Sequence, residues 1–135
     1  YPLPDTHVPG VYHSIGSCGH GLPVAVGAAL ANRNRDIYVL MSDGELQCGT
    51  TWESLLLMRQ HKLDNLKVFV DGNGYQANGA IKDILDLPWD FLKESFNIVK
   101  TIKGKGVSFM ENDFNFHYRN LTPELYEKSI LELSS

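Results

Sequence analysis

The sequence predicts an α/β fold, a parallel sheet flanked by helices, on three observations. Ile37-Tyr38-Val39-Leu40-Met41 and Leu66-Lys67-Val68-Phe69-Val70 are short apolar runs rich in strand formers. Both end in acidic glycine turns, Ser42-Asp43-Gly44-Glu45 and Asp71-Gly72-Asn73-Gly74. The stretch between them has helical spacing, and strand, helix, strand in that order calls for a parallel pair.

Along the chain, residues 1–14 contain Pro2, Pro4 and Pro9 and are expected to form an extended lead-in without a helix. Gly16-Ser17-Cys18-Gly19-His20-Gly21 is a glycine-rich turn opening onto a helix over Leu22–Ala31, with Pro23 in the first turn where a missing N–H costs least. The many small residues of that helix predict burial close to another backbone. Thr50 or Thr51 is the expected cap of a helix running to about Lys62, apolar at Trp52, Leu55, Leu56 and Met58. A helix is expected over Pro88–Phe96 and a third strand at Val107–Met110. The last element is a helix over Pro123–Leu133 beginning at a Thr122 cap. One domain over residues 1–135 accounts for this length, with no repeat and no linker.

Six Phe, six Tyr and two Trp argue against disorder, and no stretch approaches the ~18 apolar residues of a membrane span. A formal charge of -4 argues against nucleic acid held on a basic surface. Cys18 and Cys48 are too few for a disulfide framework, so a reduced, cytoplasmic setting is expected. Tyr1 in place of Met suggests that the start is not the native one, and no secretory pattern follows it.

Ligands of open parallel sheets sit beyond the carboxyl ends of the strands. Parallel neighbours bring Asp43 and Asn73 to one such edge. A carboxylate, a side-chain amide and a backbone carbonyl are hard oxygen ligands that suit Mg²⁺. Ordinary turns use the same residues. The glycine loop matches neither GxGxxG nor GxxxxGK[ST], which argues against a Rossmann cofactor or a P-loop nucleotide. Glycines ahead of a helix either let an anion approach the backbone or serve tight packing.

Longer motifs decide between these alternatives. Gly16-Ser17-Cys18-Gly19-His20-Gly21-Leu22-Pro23-Val24-Ala25-Val26-Gly27-Ala28-Ala29-Leu30-Ala31 resembles the transketolase stretch GSLGHGLPVAVGAALA, and Met41–Gly49 resembles that family's SDGELQEG block. His61-Lys62-Leu63-Asp64-Asn65-Leu66, Asp71-Gly72-Asn73-Gly74-Tyr75-Gln76 and Lys103-Gly104-Lys105-Gly106-Val107-Ser108-Phe109-Met110-Glu111-Asn112 continue the likeness in order. The resemblance covers nearly the whole chain and points to the N-terminal, diphosphate-binding half of a transketolase, often encoded separately.

That resemblance implies thiamine diphosphate and Mg²⁺ as cofactors. It implies metal ligation by Asp43, Asn73 and the carbonyl of Tyr75. Cofactor contacts would come from Gly16, Ser17, Cys18, Gly19, Asp43, Gly44, Glu45, Asn73, Tyr75 and His117, with His117 also near the reacting centre. The implied activity is two-carbon ketol transfer from a ketose phosphate to an aldose acceptor. Activity would need a transketolase C-terminal subunit, which carries the glutamate that activates the cofactor, in a dimer of heterodimers.

The chain departs from the pattern at four places. Cys48 stands where the family has the Glu of its EG pair, although Glu53 remains. Cys18 replaces a Leu, and Leu3 replaces a His. Phe96–Lys103 joins two blocks that the family separates by a longer segment. Two rival readings follow: another thiamine diphosphate enzyme, such as a deoxyxylulose-phosphate synthase-like protein, or a non-catalytic remnant that binds only cofactor or partner.

Overall fold

The computed structural model describes residues 4–134; Pro2 and Leu3, which figure in the sequence reading, lie outside them. Its main sheet has three parallel strands in the order β1 (Ile37–Ser42), β2 (Leu66–Gly72), β5 (Asn97–Lys100). The expected parallel α/β architecture is therefore present. Ile37 pairs with Leu66 and Ser42 with Asp71, so both strands deliver their acidic glycine turns to one edge.

Alternation along the strands separates two faces. Val68, Val70 and Met41 point into the core, with Ile37, Val39 and Ile98 packed beside them. Helix α1 (Gly21–Ala31) lies across β1, and α2 (Gly49–His61) packs against α1. Leu22, Val26 and Ala29 of α1 and Leu55 and Met58 of α2 are buried at that junction. The opposite sheet face carries Tyr38, Leu40, Phe69 and Val99, all exposed.

Several expectations need correction. Helix α1 is buried on one face only, and a Cβ on Gly27 would meet nothing within 4 Å, so that glycine marks no close backbone. Helix α2 starts at Gly49 with Cys48 in the cap position, inside which Thr50 and Thr51 form the first turn. Their hydroxyls donate instead to the carbonyls of Gly19 (2.9 Å) and Glu45 (2.7 Å). Leu56 faces solvent, while Thr51 and Ser54 take the buried positions.

The third strand is Asn97–Lys100, paired in parallel with β2, and Val107–Met110 forms consecutive turns. Gly104 and Gly106 adopt φ of +73° and +96°, and a Cβ on Gly104 would lie 2.4 Å from the Met110 carbonyl oxygen. That geometry winds the segment and prevents it from extending. The helix expected over Pro88–Phe96 is the short α4 (Trp89–Lys93), capped at Pro88. A small hairpin, β3 (Tyr75–Gln76) with β4 (Gly79–Ala80), and the single turn α3 (Ile81–Ile84) precede it.

Helix α5 (Pro123–Leu133) begins at Thr122, whose hydroxyl accepts the Leu125 N–H at 3.3 Å, as expected. Its Glu132 accepts from the backbone N–H (2.5 Å) and the hydroxyl (2.8 Å) of Ser108, which ties α5 to the wound segment.

Candidate functional site

Asp43 opens a 3₁₀ turn, Asp43–Gln47, directly after β1. The residue is fully buried. One carboxylate oxygen, Oδ2, accepts the N–H of Gly74 at 2.6 Å and so joins the turn after β1 to the turn after β2. Among the described residues the other oxygen, Oδ1, has no hydrogen-bond partner. An unpartnered buried acceptor costs about 1–3 kcal/mol, more when charged. Burial pushes the Asp43 carboxyl above its ordinary range. The amides of Gly74 and Gly44 oppose that shift, and the nearby Asp71 carboxylate reinforces it.

Asn73 sits beside this oxygen in sequence and in space. Its Oδ1 accepts the Tyr75 N–H at 2.9 Å, and its Nδ2 donates to Asp71 Oδ2 at 3.1 Å. The two bonds fix which end of the amide is oxygen. Tyr75 then enters β3, and the Ile81 N–H returns to the Gly74 carbonyl at 2.9 Å, closing the hairpin over the turn. The structure thus brings Asp43 to the Asn73–Tyr75 segment through the Gly74 bond. Asp71 also accepts from the Thr101 hydroxyl, which anchors the segment after β5 to the same edge.

The orphaned Asp43 oxygen, an oriented amide and a nearby main chain form an all-oxygen donor set. Such a set fits a hard divalent cation such as Mg²⁺. Among the described residues no group of three or more His, Cys, Asp or Glu side chains could hold a metal.

Gly16, Ser17 and Cys18 are exposed, whereas Gly19 is buried with φ +77°. A Cβ on Gly19 would lie 2.6 Å from the Cys48 Cβ and 2.7 Å from the Thr50 hydroxyl, so both conformation and space demand glycine here. Its N–H donates to Glu45 Oε1 at 3.1 Å. The other Glu45 oxygen accepts the Ser42 N–H at 2.8 Å. Glu45 was expected to contact cofactor; instead its carboxylate latches the glycine loop to the end of β1. The spacing Ser42-x-x-Glu45 is a capping-box signal that the sequence reading passed over.

Gly44 has a packing role of its own, since a Cβ there would approach the Gln76 Cβ at 3.0 Å. Cys48 is half-buried, and burial pushes its thiol up, reinforced by Cys18 and Glu45. Glu53 is exposed on α2. His117 ends a 3₁₀ turn, Phe114–His117, that packs against β3, which puts its element beside Tyr75. Burial and the neighbouring Lys103 lower the His117 pKa below its usual 6.5. An open groove of about 660 Å³ runs along the glycine loop, lined by His13, Gly16, Ser17, His20, Pro23 and Val24.

A parallel sheet with an oxygen-ligand site and a glycine loop at its carboxyl edge defines a ligand-binding α/β domain. The chain belongs to the family of the thiamine pyrophosphate enzyme C-terminal TPP binding domain, whose pattern matches residues 3–114. Thiamine pyrophosphate is the thiamine diphosphate of the sequence reading. An apulose-4-phosphate transketolase subunit of Phocaeicola vulgatus is 33% identical over 167 aligned residues, covering 97% of this chain and 59% of the relative. The protein of the same name from Actinobacillus succinogenes is 36% identical, covering 93% and 58%. Human transketolase is 28% identical, covering 89% of this chain and 25% of its own length. In fold, the chain is similar to the crystal structure of transketolase from Campylobacter jejuni, with TM-score 0.81 and 23% identity over 97% of this chain and 27% of that one.

The chain spans about three fifths of the length of the two apulose-4-phosphate transketolase relatives. The 167-residue alignment exceeds the 135 residues of the chain, so that relative carries extra residues inside the matched region. The family description names a C-terminal binding domain, which corrects the expectation of an N-terminal half. What carries over is the cofactor-binding domain itself. Among the described residues no helix is long and apolar enough to cross a membrane.

Proposed function

We propose that residues 1–135 form one domain that binds thiamine diphosphate and Mg²⁺ as one component of a transketolase-type transferase. The observation that carries the reading is the buried Asp43 carboxylate, one oxygen bound to Gly74 and the other unpartnered, beside Asn73 and Tyr75. Asp43 Oδ1, Asn73 Oδ1 and the Tyr75 carbonyl hold the cation. The cation in turn neutralises a diphosphate that a chain of net charge -4 cannot neutralise alone.

When bound, thiamine diphosphate supplies the electron sink for moving a two-carbon ketol unit from a ketose phosphate to an aldose. The chain's own residues bind and orient. Gly16, Ser17, Cys18 and Gly19 present backbone to the cofactor, and the Gly44 amide faces the diphosphate. Glu45 acts through that backbone, holding the loop at a fixed distance from Asp43. His117, neutral near pH 7 because burial and Lys103 oppose its protonation, offers one ring nitrogen as acceptor and one N–H as donor.

The two relatives named as transketolase subunits support a complementary C-terminal chain that completes the enzyme, in a dimer of heterodimers acting on phosphorylated sugars in the cytoplasm. The test is ketol transfer measured with the chain alone and with a complementary transketolase subunit. Turnover only in the mixture is expected. Robust turnover by the chain alone contradicts the split arrangement. Tight cofactor binding without turnover in any mixture favours the non-catalytic remnant, for which Cys48 at the family's Glu position speaks.

A further inference from the structure

Cys18 and Cys48, the two cysteines of the chain, are both free thiols on the two loops that Glu45 joins. Cys18 is exposed on the glycine loop, and Cys48 is half-buried at the start of α2. A Cβ placed on Gly19 would lie 3.2 Å from Cys48 Sγ, so the Cys48 thiol rests against the residue that follows Cys18. One residue step is about 3.8 Å, and a disulfide bridges Cα atoms about 4.4–6.8 Å apart. The two thiols are also close enough that Cys18 opposes ionisation of Cys48. Glycines at 16 and 19 flank Cys18 and give the loop the backbone freedom to turn its side chain inward.

We propose that Cys18 and Cys48 form a reversible disulfide that clamps the glycine loop onto the start of α2 and weakens cofactor binding. The oxidant is a low-molecular-weight disulfide such as oxidised glutathione. The exposed Cys18 thiol loses its proton and attacks one glutathione sulfur. The glutathione S–S bond breaks, a mixed disulfide forms, and one glutathione leaves as thiolate and is protonated. Cys48 then loses its proton and attacks Cys18 Sγ, releasing the second glutathione. Two protein thiols are oxidised and one glutathione disulfide is reduced to two thiols. The new bond draws Cys18 away from the groove lined by Gly16, Ser17 and His20. The effect on cofactor rests on the function proposed above, whereas formation of the bond does not.

Wild type, Cys18→Ser and Cys48→Ser are equilibrated with oxidised glutathione, then read by thiol titration, intact mass and calorimetric titration with Mg²⁺ and thiamine diphosphate. The expected wild-type result is a fall from two titratable thiols to none with no glutathione added to the mass, reversed by dithiothreitol. Each single variant instead keeps its thiol or gains one glutathione. Oxidised wild type binds cofactor at least tenfold more weakly than reduced, while the affinity of Cys18→Ser is insensitive to the treatment. Two persistent thiols, or two glutathione adducts, overturn the disulfide. A disulfide that leaves affinity within twofold overturns the clamp. A reduced protein that binds no cofactor sinks the functional reading instead, and the thiol count still decides the bond.

Discussion

The carboxylate of Asp43 accepts the backbone N–H of Gly74 at 2.6 Å, so the turns after β1 and β2 are held by a buried charge. Parallel pairing of Ser42 with Asp71 makes this contact a consequence of register. A one-residue slip would turn every side chain of one strand to the other face and remove Asp43 from the edge.

Replacing Asp43 by Asn separates its structural role from its ligand role. The amide oxygen can still accept from Gly74, and the burial that raises the carboxyl's pKa no longer opposes a charge. The metal-free Asp43→Asn protein is expected to melt higher than wild type by about 3 °C, the scale of a ~1 kcal/mol gain in a domain of this size. Its melting temperature should no longer rise on adding Mg²⁺ and thiamine diphosphate. Thermal melts with and without both ligands check this, and a variant that melts well below wild type rejects the idea of an uncompensated buried charge.

Gly19→Ala places a Cβ in the left-handed region and within 2.6 Å of Cys48. A loss of about 2 kcal/mol or more is expected, because neither the backbone nor the start of α2 can yield cheaply. Gly27→Ala is the control, since its Cβ meets nothing within 4 Å and alanine is the better helix former. Chemical denaturation of the pair should give opposite signs.

Glu45→Ala removes the acceptor of both the Gly19 and Ser42 N–H groups. Stability should fall by about 2 kcal/mol, the range for hydrogen bonds to a charged group. Hydrogen exchange should speed up at Gly19 and Ser42 while the β2 amides stay protected. Uniform loss of protection across the sheet would show instead that Glu45 supports the whole fold.

His117 is expected to titrate below 6.5, and Lys103→Ala to move the midpoint up. Its folded pKa is depressed, so the folded chain binds fewer protons than the unfolded one between the two values. Stability from this group is therefore constant above about pH 6.5 and falls as the pH drops toward the folded pKa. Imidazole resonances followed by NMR decide the point, and a midpoint above 6.5 contradicts it.

The parts of this fold that the sequence revealed are those with strong periodicity. Ile37–Met41 and Leu66–Val70 read as strands because every second residue is apolar and buried against α1. Asn97–Lys100 escaped notice because it is an edge strand with Ile98 as its one core contact and polar neighbours on both sides. Val107–Met110 misled in the other direction: an apolar run looks extended until the positive φ of Gly104 and Gly106 is known. The Asp43 and Asn73 juxtaposition followed from parallel order alone. The Glu45 latch depended on where the glycine loop falls in space, which no local pattern encodes, although half of it was visible as a capping spacing.

The central claim, that Asp43 and the Asn73–Tyr75 segment hold a cation that in turn holds a diphosphate, is tested most directly by calorimetric titration of the chain with thiamine diphosphate. Three conditions are needed: Mg²⁺ present, Mg²⁺ removed by chelator, and Asp43→Ala with Mg²⁺ present. The account predicts saturable binding in the first condition and none in the other two, with the far-ultraviolet circular dichroism of Asp43→Ala unchanged. Equal affinity in all three would contradict it.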